Sequence, residues 1–173
     1  VMMENGVEFD GAIGVSAGAA FGCNYKTRQI GRVIRYNTRF SRDKRYCGVR
    51  CLLRTGDMYS ADFAYGEVPL IHDPFDFDTY FGCGIQTEYA CTCCETGEAE
   101  YFSEVSDEMR LLKICKATCS VPMLCEPVEL DGRHFLDGSI ADSIPIERAF
   151  SQGCDKVVIV LTKPETNVPP TDY

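Results

Sequence analysis

One stretch constrains the rest of the chain. Residues 8–20, "EFDGAIGVSAGAA", run from an apolar segment through a serine between two glycines into small residues. The apolar part alternates less than a half-buried strand would. It suits a strand covered on both faces, as in a parallel sheet. The residues after Ser16 suit a helix packed tightly behind that strand. Strand, Gly14-Val15-Ser16-Ala17-Gly18 turn and helix together make the nucleophile-elbow pattern. Its demands are physical. The serine occupies a strained turn, so its hydroxyl projects from the strand end. Glycines two before and two after it let strand and helix approach without Cβ clashes. The helix N-terminus stabilises negative charge, and the Ala17 N–H is available to an oxyanion. The bare pattern arises by chance in roughly one in twenty chains of this length at average Gly and Ser usage. Its context therefore carries the weight, and the competing reading is a tight strand–helix turn without chemistry.

The other segments alternate in kind. Residues 29–40 read as a helix, 48–56 ("GVRCLLRTG") as a short one, and 60–69 as another capped by Ser60. Residues 85–104 read as a hairpin around "ETGE". Residues 106–121 are the clearest helix, with Ser106 as cap, acids in the first turn and Pro122 just beyond. "VELDGRHFLDG" is a second hairpin, turned at Asp131-Gly132. "IPIERAFSQG" is a helix with Pro145 near its start and Gly153 after its end. "DKVVIVLT", 155–162, reads as a buried strand. The pattern predicts an α/β fold with a mixed sheet.

The chain has 173 residues, 45% hydrophobic and 25% charged, which suits one domain over 1–173. No apolar run reaches membrane-spanning length. "VMMENGVEF" lacks the layout of a signal peptide and reads as the last turn of a helix closed by Asn5-Gly6. Residues upstream of Val1 are therefore expected, and the Pro-rich end is a loop or cut point. Eleven cysteines are an odd number, so they cannot all pair within the chain. A reduced, cytoplasmic protein is the expectation. The tightest cluster, Cys91, Cys93 and Cys94, reads as small apolar strand residues rather than a metal site.

Net charge is −9, unevenly spread: residues 26–54 hold ten Lys/Arg and one acid, whereas 55–109 hold thirteen Asp/Glu and no Lys or Arg. Arg28, Arg32, Arg35, Arg39 and Arg42 share one helix face. Such a face either pairs with the acidic segment or docks peripherally on an anionic membrane surface. The acidic balance and the lack of a recognition motif argue against nucleic acid.

If Ser16 is a nucleophile, something must take its proton. His72 lies in "PLIHDPFD", a loop-like stretch. His134 lies in "GRHFLD" with Asp137 as the nearby carboxylate, but residues three apart on a strand face opposite ways. A His-dependent esterase stays open as an alternative on weak grounds. Asp137 ends a strand before glycine and small residues. A carboxylate can itself be the base in a dry site, although an aspartate in "DG" is also an ordinary turn residue.

Three segments, in order, resemble the patatin-like phospholipase family: "GAIGVSAGAA" its serine elbow, "KATCSVP" (116–122) its Ala-Ser-x-Ala-x-Pro-type segment, and "FLDGSIADSIPIERA" its Asp-Gly segment. "RYCGVRCLLRTGDMYSADFAYGEVPLIHDPFDFDTYF" also looks like a bacterial subgroup. The resemblance implies a three-layer α/β/α sandwich with a mixed, mainly parallel sheet. It implies a Ser16–Asp137 dyad, Gly14 and Gly18 in the elbow, Gly138 and Ser139 beside the base, no metal, no cofactor, and a lipid acyl-ester substrate. The family's Gly-rich oxyanion loop would lie about twenty residues before Val1, so a chain starting there is expected to be weak or inactive alone. Ser139 stands where the family usually has Gly or Ala. A non-catalytic relative that binds lipid or a protein partner is the alternative from another class.

Overall fold

The structure is a computed structural model that describes residues 2–43, 45–46, 60, 63–103 and 105–162. Contacts divide the chain into two units, Val1–Ser143 and Ile144–Tyr173. The short helix expected at 48–56 lies outside the described residues.

In the first unit a 3-10 turn, Met3–Asn5, is closed by Gly6 at φ 64°. Strand β1 (Gly11–Val15) leads through Ser16 into α1 (Ala17–Lys26). Then come α2 (Arg32–Phe40), a π-helix (Phe63–His72) and α3 (Phe77–Gly82). Ser60 does cap the π-helix: its Oγ accepts the Phe63 N–H at 3.3 Å. Strands β2 (Gln86–Cys93) and β3 (Ala99–Phe102) form the first hairpin. Helix α4 (Glu108–Thr118) precedes the second, β4 (Val128–Leu130) and β5 (Arg133–Asp137).

The sheet is mixed, with order β1-β2-β5-β4 and β3 also on β2. Among the described residues β1–β2 is the one parallel pairing, and β2–β3, β2–β5 and β4–β5 are antiparallel. The connections dictate this. A long helical crossover separates β1 from β2, as parallel pairing requires, whereas the hairpins have turns too short for anything but antiparallel return. Asp131 (φ 53°) and Gly132 (φ 78°) both take left-handed backbone, the geometry of a two-residue turn matched to strand twist.

Helix α4 starts one residue later than expected. Its cap is Asp107, whose carboxylate accepts the Arg110 N–H at 2.9 Å, while Ser106 donates to that carboxylate. A carboxylate is the stronger acceptor at a helix N-terminus, so it displaces the neighbouring hydroxyl. Leu111, Ile114 and Cys115 of α4 and Ala19 and Cys23 of α1 pack with Tyr89, Cys91 and Cys93 of β2 in one core. Cys91 and Cys93 are fully buried strand residues, as expected, but Cys94, expected with them in a strand, is exposed in the turn that follows.

The single helix face expected for the arginine row is corrected: α2 spans Arg32–Phe40, so Arg28 (φ 57°) and Arg42 lie outside it, and of the five only Arg32 is buried. Arg28 pairs with Glu8 at 2.9 Å. Arg32 is buried, donating to the Asp73 carbonyl and to Asn24 Oδ1. Arg35 grips both Asp73 carboxylate oxygens at 2.7 and 2.9 Å. Arg39 donates to the His72 carbonyl. Pairing within the chain is thus seen at Arg28, Arg32 and Arg35. The Arg35 hydrogen bonds hold the Asp73 carboxyl below its ordinary range, as an ion pair does.

In the second unit α5 (Ile146–Ser151) starts after Pro145, and Gly153 follows at φ 87°. Residues 155–162 form no strand, and Val158, Ile159, Val160 and Leu161 are exposed. The expectation of a buried strand there is corrected. An apolar run becomes a strand only where a neighbouring edge takes its hydrogen bonds, and no described strand pairs with this one.

Candidate active site

Ser16 sits between β1 and α1 at φ 52° and ψ −123°. A non-glycine residue in that sparse region costs about 1–3 kcal/mol and persists only where its surroundings hold it. Two close approaches hold it. A Cβ on Gly14 would lie 2.5 Å from Ala19 Cα and 2.8 Å from Ala19 N, so the strand passes the helix at a distance only glycine permits. A hydrogen bond then ties the turn to a side chain of α4: the Ser16 N–H donates to Thr118 Oγ1 at 2.9 Å.

Asp137 ends β5, next to Cys91 of β2 in register. It is 2% exposed, so its carboxylate needs donors. Ser16 Oγ donates to Oδ2 at 2.6 Å. The Ser139 N–H and Ser139 Oγ donate to Oδ1 at 2.9 and 2.7 Å. The unusual Ser139 therefore fastens the far oxygen and leaves the near one aimed at Ser16. Gly138 is required for a steric reason: a Cβ there would fall well inside 3.0 Å of the Ala90 carbonyl.

Sequence reasoning placed Ser16, Asp137, Gly14, Gly138 and Ser139 together, and they are together. Gly18 differs. A Cβ on it meets no atom within 4 Å among the described residues, so the close approach expected of it is carried by Gly14 alone. Ala17 opens α1 and is exposed, and a first-turn N–H has no carbonyl within its own helix to bond. Neither histidine belongs to the site. His134 is exposed and pairs with Glu95 at 3.4 Å. His72 pairs with Glu67 and rests against Phe40 and Phe63. Thr118 lies within "KATCSVP", where its residue type alone marks no role. Its contact with Ser16 spans 102 positions and leaves no mark on local pattern.

Thiols surround the dyad. Burial pushes Cys119 up to about 12, with the Asp137 charge adding to it, while hydrogen bonds from Tyr65 and Ser16 only partly oppose. Burial likewise pushes Cys91 up to about 12. Little of Cys119 is then thiolate at pH 8, and the thiolate is the reactive form. Iodoacetamide on the native chain at pH 8 should reach exposed Cys154 and spare Cys91 and Cys119 until urea unfolds the protein. Residue-resolved mass spectrometry reads this out; early Cys119 alkylation would contradict it. Among the described residues no group of three His, Cys, Asp or Glu side chains is placed to hold a metal ion.

Residues 86–150 match the family model of patatin-like phospholipase. The match takes in α4, Asp137 and Gly138 but not Ser16. The chain is also similar to an uncharacterized protein, YjjU, of Escherichia coli (strain K12): 29% identical over 165 residues, 90% of this chain and 44% of that protein. The chain thus spans less than half the length of this relative.

Proposed function

We propose that this chain, whose residues 86–150 match the patatin-like phospholipase family model, is a serine acyl-ester hydrolase acting on lipids through Ser16 and Asp137. The observation that carries the reading is the 2.6 Å bond from Ser16 Oγ to a buried carboxylate oxygen, made by a serine in strained backbone at a helix start.

The chemistry follows from that contact. Ser16 Oγ attacks the ester carbonyl carbon as its proton passes to Asp137 Oδ2, so a C–O bond forms and the carbonyl oxygen becomes an oxyanion. The Ala17 N–H and the positive end of α1 face that charge. Collapse breaks the ester C–O bond. The departing alkoxide takes the proton from Asp137, leaving an acyl group on Ser16. Water then attacks the acyl carbon, gives its proton to Asp137, and the fatty acid leaves as Ser16 recovers the proton. Ser139 holds Asp137 in one orientation through both halves.

A fluorophosphonate probe tests this on the longest natural form of the chain. The expected result is one adduct, on the peptide containing Ser16, with release of fatty acid from phospholipid or lysophospholipid vesicles. No adduct, or an adduct mapping elsewhere, would sink the reading.

A further inference from the structure

The geometry points to Thr118 as a positioning residue for the nucleophile: its hydroxyl, at the end of α4, clasps the Ser16 backbone and so sets the reach of Ser16 to Asp137. This rests on the reading of Ser16 as nucleophile.

Thr118 is fully buried, and both capacities of its hydroxyl are used. Oγ1 accepts the Ser16 N–H at 2.9 Å and donates its proton to the Ala90 carbonyl. The two directions fix each other, because a hydroxyl that donates to Ala90 presents its lone pair to Ser16. Ala90 is no arbitrary anchor. It belongs to the central strand β2, and its carbonyl is the group against which Gly138 packs. The base is tied just beyond the end of α4, since the Asp137 N–H donates to the Ser120 carbonyl at 2.9 Å. Nucleophile and base come from segments 121 positions apart, yet Thr118 and Ser120 hold the backbone of each. Without the Thr118 acceptor the Ser16 N–H loses the partner that opposes relaxation out of positive φ. Small displacements of a reacting atom are costly: about 1 Å can cost of order a hundredfold in rate.

The test uses Thr118→Val, Thr118→Ala and Thr118→Ser in the longest natural form of the chain. It reads the second-order rate of fluorophosphonate labelling at Ser16 and hydrogen exchange of the Ser16 amide, both well below the melting temperature. The expected result is labelling ~10–100-fold slower in the Val and Ala variants, faster amide exchange in both, and near wild-type behaviour with Ser. Ala and Ser differ by one oxygen atom, so their comparison stands even if the Val variant does not fold. A packing role predicts the opposite order, because Val fills the site better than Ser. Wild-type labelling and amide protection in the Ala variant would overturn the clasp. If the wild type itself takes no label, the hydrolase reading fails, while amide exchange still decides whether Thr118 holds Ser16.

Discussion

Asp137→Asn should leave the protein folded and cut ester turnover by at least ~10³-fold, the scale of losing a general base. The substitution keeps the side chain's size in a site where Asp137 is 2% exposed. Its backbone anchors, to the Ser120 carbonyl and from Thr92 Oγ1, do not involve the carboxylate. An amide oxygen can still accept from Ser139. The amide nitrogen then faces Ser16 Oγ, and it donates rather than accepts. The serine proton has nowhere to go, so attack on the carbonyl stalls while substrate still binds. The loss should therefore fall on kcat and leave KM near wild type. His134→Ala in the same assay should retain activity, because His134 is exposed and paired with Glu95. Robust turnover by Asp137→Asn, or collapse on His134→Ala, would reverse the assignment of the base. Circular dichroism and the melting temperature separate loss of chemistry from loss of fold.

What was legible in the sequence divides by range. The turn at Asp131-Gly132 is local chemistry, and it is where expected because few residues tolerate two consecutive positive φ angles. Ser16 and Asp137 were legible as a pair only through their motifs, since the 121 positions between them carry no period. The arginine row shows the limit. Its spacing predicts a helix face, but α2 holds only Arg32, Arg35 and Arg39 of it, and spacing does not say what that face meets. Arg32 is buried because Asp73 and Asn24 lie opposite, a tertiary fact, although the acidic segment made internal pairing a natural outcome. Thr118 was hidden more completely. A threonine ending a helix is unremarkable until the strand it touches and the amide it receives are both in view. The apolar run at 155–162 met every local criterion for a strand, and its exposure shows that a strand is a property of two segments.

The two elbow glycines, alike in the motif, should behave oppositely when changed to alanine. Gly14→Ala puts a methyl 2.5 Å from Ala19 Cα, and both partners are backbone, so no side chain can swing away. Either β1 and α1 separate or the Ser16 turn opens. Overpacking of this kind costs about 1–3 kcal/mol or more, and the displaced element carries the nucleophile. Gly138→Ala should be at least as severe, because its methyl would press on the Ala90 carbonyl, which already accepts the Thr118 hydroxyl. Gly18→Ala meets nothing within 4 Å among the described residues and lies in α1, where alanine is favoured over glycine by up to ~1 kcal/mol. Its melting temperature should hold or rise. Thermal unfolding of the three variants side by side decides the matter. Equal destabilisation by Gly14→Ala and Gly18→Ala would mean that the strand–helix approach is shared between the two positions.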